Sequence, residues 1–259
     1  MSLLATADGH LDFLVTGAGA PVTVFAHGLA GSIAQTRPLG SGVAGSRAFL
    51  HFRGHGASSA PETRWTYAAL AAELRAVADH VGATRAVGVS LGAGALTALL
   101  ADAPARFERL VFFLPAALDR PREGAALDRL EAMADLVDDR DVDAVAALLL
   151  AEQPTGVRHR PDVLHWVRRQ AATLVGTPVS RALREMPRQH PLADRGILSR
   201  VRSPALVIGQ DGDDAHPVAV AADLAEALPK AELHVFGPDG ALWSHRRELR
   251  DLVAGFLNR

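Results

Sequence analysis

The chain has 259 residues, 49% hydrophobic and 22% charged, enough to bury a sizeable core and ordinary for a soluble globular protein. A formal net charge of −2 gives no electrostatic basis for binding nucleic acid or an anionic membrane, and the absence of cysteine excludes disulfides, thiolate-bound metals and a cysteine nucleophile. No apolar run reaches spanning length, and the first residues, MSLLATADGHLDF, lack the basic-then-apolar pattern of a signal peptide, so a cytoplasmic location is the default expectation.

Short apolar runs alternate with Ala/Leu-rich stretches of helical periodicity, which predicts an α/β fold with a mostly parallel central sheet flanked by helices. Leu3–Ala7 and Leu11–Thr16, joined by Asp8-Gly9, read as a hairpin. Val22–Ala26 is the next strand and ends at His27-Gly28; Ala48–Phe52 follows and ends at Arg53-Gly54-His55-Gly56. Tyr67–Val81 carries Leu70, Leu74 and Val77 at helical spacing. Arg85–Val89 is a short apolar strand, Leu91–Ala101 a helix, and Arg109–Leu114 a strand. From Pro115 to about Arg200 the alternation stops. Glu123–Asp138, Asp141–Glu152, Pro161–Leu174 and Pro178–Glu185 all read as helices, more than one crossover between parallel strands requires. This divides the chain into a core, residues 1–115 and 200–259, and a helical cap, residues 116–199. The last third restores the alternation with Ala205–Gly209, a helix over Ala219–Leu228, the strand Leu233–Phe236 and a closing helix, Arg246–Leu257.

One strand-to-helix junction carries chemistry. Gly88-Val89-Ser90-Leu91-Gly92 sets a serine between small residues at minus two and plus two, the pattern of a nucleophile elbow. A sharp turn pushes the serine side chain out at its apex, and the glycines permit neighbouring chain to approach closely. Ser90 is the candidate nucleophile, and the N–H of Leu91 at the helix start is a candidate oxyanion donor.

With these features in this order, the chain resembles the α/β-hydrolase superfamily over essentially its full length: His27-Gly28 after an early strand, Arg53-Gly54-His55-Gly56 after the next, the elbow, a helical insertion, then an acid loop. The resemblance implies an α/β-hydrolase fold with a cap and a second oxyanion donor at the N–H of Leu29. The His27 side chain, like that of His51, reads as structural. The resemblance places the acid four residues before a proline, which selects Asp213 in Gln210-Asp211-Gly212-Asp213-Asp214-Ala215-His216-Pro217, with Asp211 and Asp214 as alternatives. It places the general base just after a glycine in the loop beyond the last strand, where this chain has Ala241; His245 lies four residues later and is the candidate base if the loop takes a different path. His216 is the alternative base, close in sequence to Asp213.

The expected activity is a serine hydrolase acting on a small, fairly apolar ester or related acyl substrate through Ser90, His245 and Asp213. The alternative is a non-catalytic ligand-binding protein on the same scaffold, with an incomplete triad marked by Ala241. The histidines show no zinc-protease spacing, and Gly88, Gly92 and Gly94 do not match a dinucleotide-binding loop, so neither metal nor cofactor is expected.

Overall fold

A computed structural model describes residues 1–259. In chain order the elements are β1 (Ser2–Thr6), β2 (Gly9–Thr16), β3 (Val22–Ala26), the single turn α1 (Ile33–Thr36), β4 (Ser46–Leu50), α2 (Tyr67–His80), β5 (Arg85–Val89), α3 (Leu91–Asp102) and β6 (Arg109–Phe113). Four helices follow without an intervening strand: α4 (Ala125–Asp138), α5 (Val142–Ala151), α6 (Pro161–Leu174) and α7 (Ser180–Glu185). The chain then forms β7 (Ala205–Gln210), α8 (Val218–Ala227), β8 (Ala231–Phe236) and α9 (Arg246–Leu257). No helix is long and apolar enough to cross a membrane.

The eight strands form one sheet in the order β1-β2-β4-β3-β5-β6-β7-β8. β1 and β2 are antiparallel, β2 meets β4 antiparallel, and every pair from β4 to β8 is parallel. The central strands read as continuous apolar runs because both of their faces are covered. Successive residues still point to opposite faces. Val24, Ala26, Leu110 and Phe112 enter the larger buried cluster, while Phe25, Val111 and Phe113 enter the smaller cluster on the other face. Met133, Val145, Val163 and Leu183 from the four consecutive helices belong to the larger cluster, so that helical layer is packed continuously with one side of the sheet.

Two features of this topology position the site. After β3 the chain moves to one side to form β4, then returns to the other side to form β5. Connections diverge there, leaving a crevice outside the carboxyl ends of β3 and β5, where ligands bind in open α/β sheets. His27-Gly28 follows β3, and Ser90 follows β5. The second feature is a buried brace under this crevice. The Nδ1–H of His27 donates to Gly28 O (2.7 Å), and its Nε2 accepts from Phe52 N (3.1 Å). His51 Nδ1–H donates to Asp12 (2.9 Å), and its Nε2 accepts from Ile33 N (3.0 Å). Both imidazoles therefore tie the loops after β3 and β4 together as neutral bridges, in keeping with their reading as structural groups. Burial, together with the neighbouring His55 and His51, holds His27 well below the usual imidazole range.

Candidate active site

The elbow is built by close approaches at three glycines, two of which leave no room for a Cβ. A Cβ on Gly88 would sit 2.5 Å from Gly92 O, and one on Gly92 would sit 2.4 Å from Ala26 O and 2.8 Å from His27 O. A Cβ on Gly28 would lie 3.3 Å from Ser90 Cβ. These glycines let α3, the end of β3 and the His27-Gly28 turn close on one another around the serine. Ser90 itself has φ +49° and ψ −107°, a left-handed backbone that is costly for a residue with a side chain. Its N–H donates to Phe113 O (2.9 Å), pinning the apex to the end of β6. Its side chain is only partly buried, so its hydroxyl is held at the surface of the crevice rather than in packed core.

The imidazole facing that hydroxyl belongs to His216. His216 Nε2 lies 2.9 Å from Ser90 Oγ, and His216 Nδ1 lies 2.9 Å from Asp213 Oδ2. An ionised carboxylate only accepts, which assigns the proton to Nδ1 and leaves Nε2 to accept from the serine O–H. Both residues stand on the loop after β7. The loop turns back on itself because Asp213 Oδ1 accepts from Ala215 N and His216 N (both 3.1 Å), a side-chain-stabilised turn of the kind aspartate favours. Burial would raise the Asp213 pKa, but these hydrogen bonds and the adjacent imidazole outweigh it and hold the carboxyl below its ordinary value.

The other two aspartates of this loop face elsewhere. Asp211 accepts from Gly212 N within its own turn (3.0 Å). Asp214 pairs with Arg129 of α4 (2.7 Å), which also binds Glu152 after α5.

The expectation for His245 is corrected. His245 immediately precedes α9, where its Nδ1 lies 3.0 Å from Glu248 and its ring lies tilted against Phe236. The loop that could have carried it toward Ser90 is instead anchored: Ala241 is fully buried, and its N–H donates to Gln210 at the end of β7 (2.9 Å). Trp243 packs edge-on against Trp166 of α6 and donates to Gln153 (2.8 Å), so it forms part of the contact with the helical layer. The signal for His216 lies in the sequence, a histidine three residues after an aspartate, immediately before the proline that precedes α8. What the spacing alone could not convey was the tight reversal of that loop.

The two residues expected to offer backbone N–H groups flank the serine. Leu91 is the first residue of α3, so its N–H is among those the helix leaves without an internal partner. Leu29 follows the Gly28 position that abuts Ser90, and its turn is closed by Gly31 N donating to Gly28 O (2.9 Å) and by Ala30 at φ +55°. Gln170 of α6 donates to Ala30 O, so the helical layer reaches this turn directly.

Comparisons with known proteins agree with this architecture. A family model described as the alpha/beta hydrolase fold matches residues 21–243. A 2-hydroxy-6-oxononadienedioate/2-hydroxy-6-oxononatrienedioate hydrolase of Burkholderia vietnamiensis is 39% identical over 82 residues, which is 30% of this chain and 28% of that protein. The match to such curated relatives thus spans less than a third of their length. Among solved structures, an alpha/beta hydrolase enzyme from a Medee basin deep-sea metagenome library superposes with a TM-score of 0.84 at 17% identity, covering 100% of this chain and 98% of that one. An enol-lactonase from Burkholderia xenovorans superposes with a TM-score of 0.81 at 22% identity, covering 100% of both chains. A hydrolase from Pseudomonas aeruginosa is 26% identical with a TM-score of 0.78, covering 100% of this chain and 98% of that one.

Proposed function

Taking as premise that the chain belongs to the α/β-hydrolase fold family and is a hydrolase, we propose that it cleaves a small ester or related acyl substrate by a Ser90–His216–Asp213 relay. The observation that carries this reading is the unbroken chain of 2.9 Å contacts from Asp213 through His216 to Ser90 Oγ. A serine hydroxyl is a poor nucleophile until a positioned base takes its proton, and 2.9 Å is within the reach a base needs. Ser90 Oγ attacks the carbonyl carbon while its proton passes to His216 Nε2. Asp213 holds the ring in the required tautomer and stabilises the imidazolium. The N–H groups of Leu29 and Leu91 receive the oxyanion, fixed in place before the reaction begins. Collapse of the tetrahedral intermediate expels the alcohol, which takes the proton from His216 and leaves an acyl-serine. A water molecule, deprotonated by the same imidazole, then hydrolyses the acyl group and restores the serine. The helices of residues 116–199 act as a cap that shapes the acyl and alcohol pockets, in contact with the oxyanion turn through Gln170.

The test is covalent labelling with a fluorophosphonate, read by intact mass and peptide mapping, alongside turnover of short-chain p-nitrophenyl esters. Wild type is expected to gain one label on Ser90 and to hydrolyse the esters, and Ser90→Ala to do neither. A folded protein that neither labels nor turns over would favour the non-catalytic alternative.

A further inference from the structure

We infer that Arg122 and Tyr67 form a subsite that binds a carboxylate carried by the substrate at a distance from its scissile bond. This rests on the serine-hydrolase reading, and it replaces the expectation of a fairly apolar substrate with that of an ester or lactone bearing an anionic arm.

Arg122 lies in the connection between β6 and α4, and its backbone is fixed by its N–H donating to Pro187 O (3.2 Å). The side chain reaches the acid loop, where Nη1 donates to Ala215 O (2.6 Å), one residue before His216. This is its only side-chain hydrogen bond, and it makes no ion pair. Two other arginines between β6 and β7 behave differently: Arg129 is held by Glu152 and Asp214, and Arg195 by Asp119 and Asp223. Arg122 thus stands out as a partly buried cation whose remaining N–H donors are unspent.

Tyr67 lies against the helix that follows Ser90. It is the first residue of α2, and its ring lies so close to α3 that a Cβ on Gly94 would meet it at 2.2 Å. Gly94 is one helical turn beyond the serine, with its N–H donating to Ser90 O (3.1 Å). The phenol is almost wholly buried, and its hydroxyl makes no hydrogen bond within the chain. Tyr67 and Arg122 are close enough to interact electrically, and Asp213 and Glu152 are the carboxylates within range of the guanidinium. Burial pulls the Arg122 pKa down, but a guanidinium keeps its charge all the same, while burial pushes the Tyr67 pKa up and leaves its phenol a neutral O–H donor. Beside His216 the guanidinium thus keeps N–H donors with no acceptor in the chain, and against the helix turn that follows Ser90 stands a phenol whose O–H has none. A carboxylate matches that set in charge and geometry, because guanidinium binds it through two parallel hydrogen bonds.

Two measurements test this. The first compares kcat/KM for 4-nitrophenyl hydrogen succinate with that for its neutral methyl ester, in wild type and in Arg122→Gln. The wild type is expected to prefer the anionic ester, and Arg122→Gln to lower the anionic-to-neutral ratio by about ten- to a hundredfold, as loss of a charge-assisted hydrogen-bond pair implies. Tyr67→Phe, which keeps the ring and removes only the hydroxyl, should lower the ratio severalfold and serves if Arg122→Gln does not fold. The second is calorimetric binding of monomethyl succinate and dimethyl succinate to Ser90→Ala, with and without Arg122→Gln. Tighter binding of the monoanion that disappears with Arg122→Gln supports the subsite even if no ester is turned over, which separates its fate from that of the hydrolase reading. Equal binding of the two esters by Ser90→Ala, or a preference that survives loss of the guanidinium, overturns it.

Discussion

Gly92→Ala should reverse the usual effect of placing alanine in a helix. Alanine is favoured over glycine in a helix interior by about 1 kcal/mol. Gly255 of α9 shows that gain in isolation, because a Cβ there meets nothing within 4 Å. At Gly92 the added Cβ would stand 2.4 Å from Ala26 O, 2.7 Å from Ala26 C and 2.8 Å from His27 O. All three are backbone atoms at the end of β3, so no rotamer change relieves them. Reaching ordinary contact at 3.4 Å requires α3 and the His27-Gly28 turn to separate by about 1 Å. Overpacking of this kind costs typically about 1–3 kcal/mol, which exceeds the propensity gain. Gly255→Ala is expected to raise Tm by roughly 2–4 °C, and Gly92→Ala to lower it by a similar amount or more. The same separation moves the Leu91 and Leu29 N–H groups apart, and misplacement by about 1 Å costs on the order of a hundredfold in rate. Thermal denaturation and ester turnover of the two variants decide the matter. If Gly92→Ala were as stable as Gly255→Ala and turned over at the wild-type rate, the close packing around the elbow would not be what holds the oxyanion donors.

Acid stability offers a second test. Burial lowers His55 from 6.5 to about 4 in the folded protein. Its contribution is complete above pH 6.5 and is lost as the pH falls toward about 4, because the unfolded chain takes up the proton first. The loss amounts to about 2 kcal/mol at pH 5 and about 3 kcal/mol at pH 4. Urea unfolding from pH 7.5 to 4 should therefore show a shallower decline for His55→Phe than for wild type, and parallel curves would refute the assignment. Glu73, buried and hydrogen-bonded to the Arg53 side chain and backbone, should cost about 3–5 kcal/mol when changed to alanine, because Arg53 is left as an uncompensated buried charge. A loss below 1 kcal/mol on chemical denaturation would show that Asp8 and Thr63, the other partners of Arg53, suffice.

Much of the architecture is legible in the sequence, for reasons visible in particular elements. Strands such as Arg109–Phe113 and Ala205–Gln210 are short apolar runs because parallel strands are covered on both faces, and α6 lies where its periodicity predicts, Pro161–Leu174. β4 runs over Ser46–Leu50 rather than Ala48–Phe52, because Phe52 N–H is taken by His27 instead of by a neighbouring strand. Around the serine, the glycine spacing encodes close approach and so reveals the elbow directly. The histidine facing Ser90 is less legible. It depends on one loop folding back through Asp213 and on another being held away through Ala241 and Gln210, and neither contact leaves a periodic trace. Arg122 and Tyr67 stand 55 residues apart in the chain, and neither spacing nor periodicity marks them.

The central claim is that the proton leaving Ser90 goes to an imidazole on the acid loop. Ester turnover by His216→Ala and His245→Ala, each checked for folding, tests it most directly. His216→Ala is expected to lose about a thousandfold or more, as removal of a triad base entails, and His245→Ala to turn over at near the wild-type rate. Substantial activity in His216→Ala, or collapse of activity in His245→Ala, would contradict it.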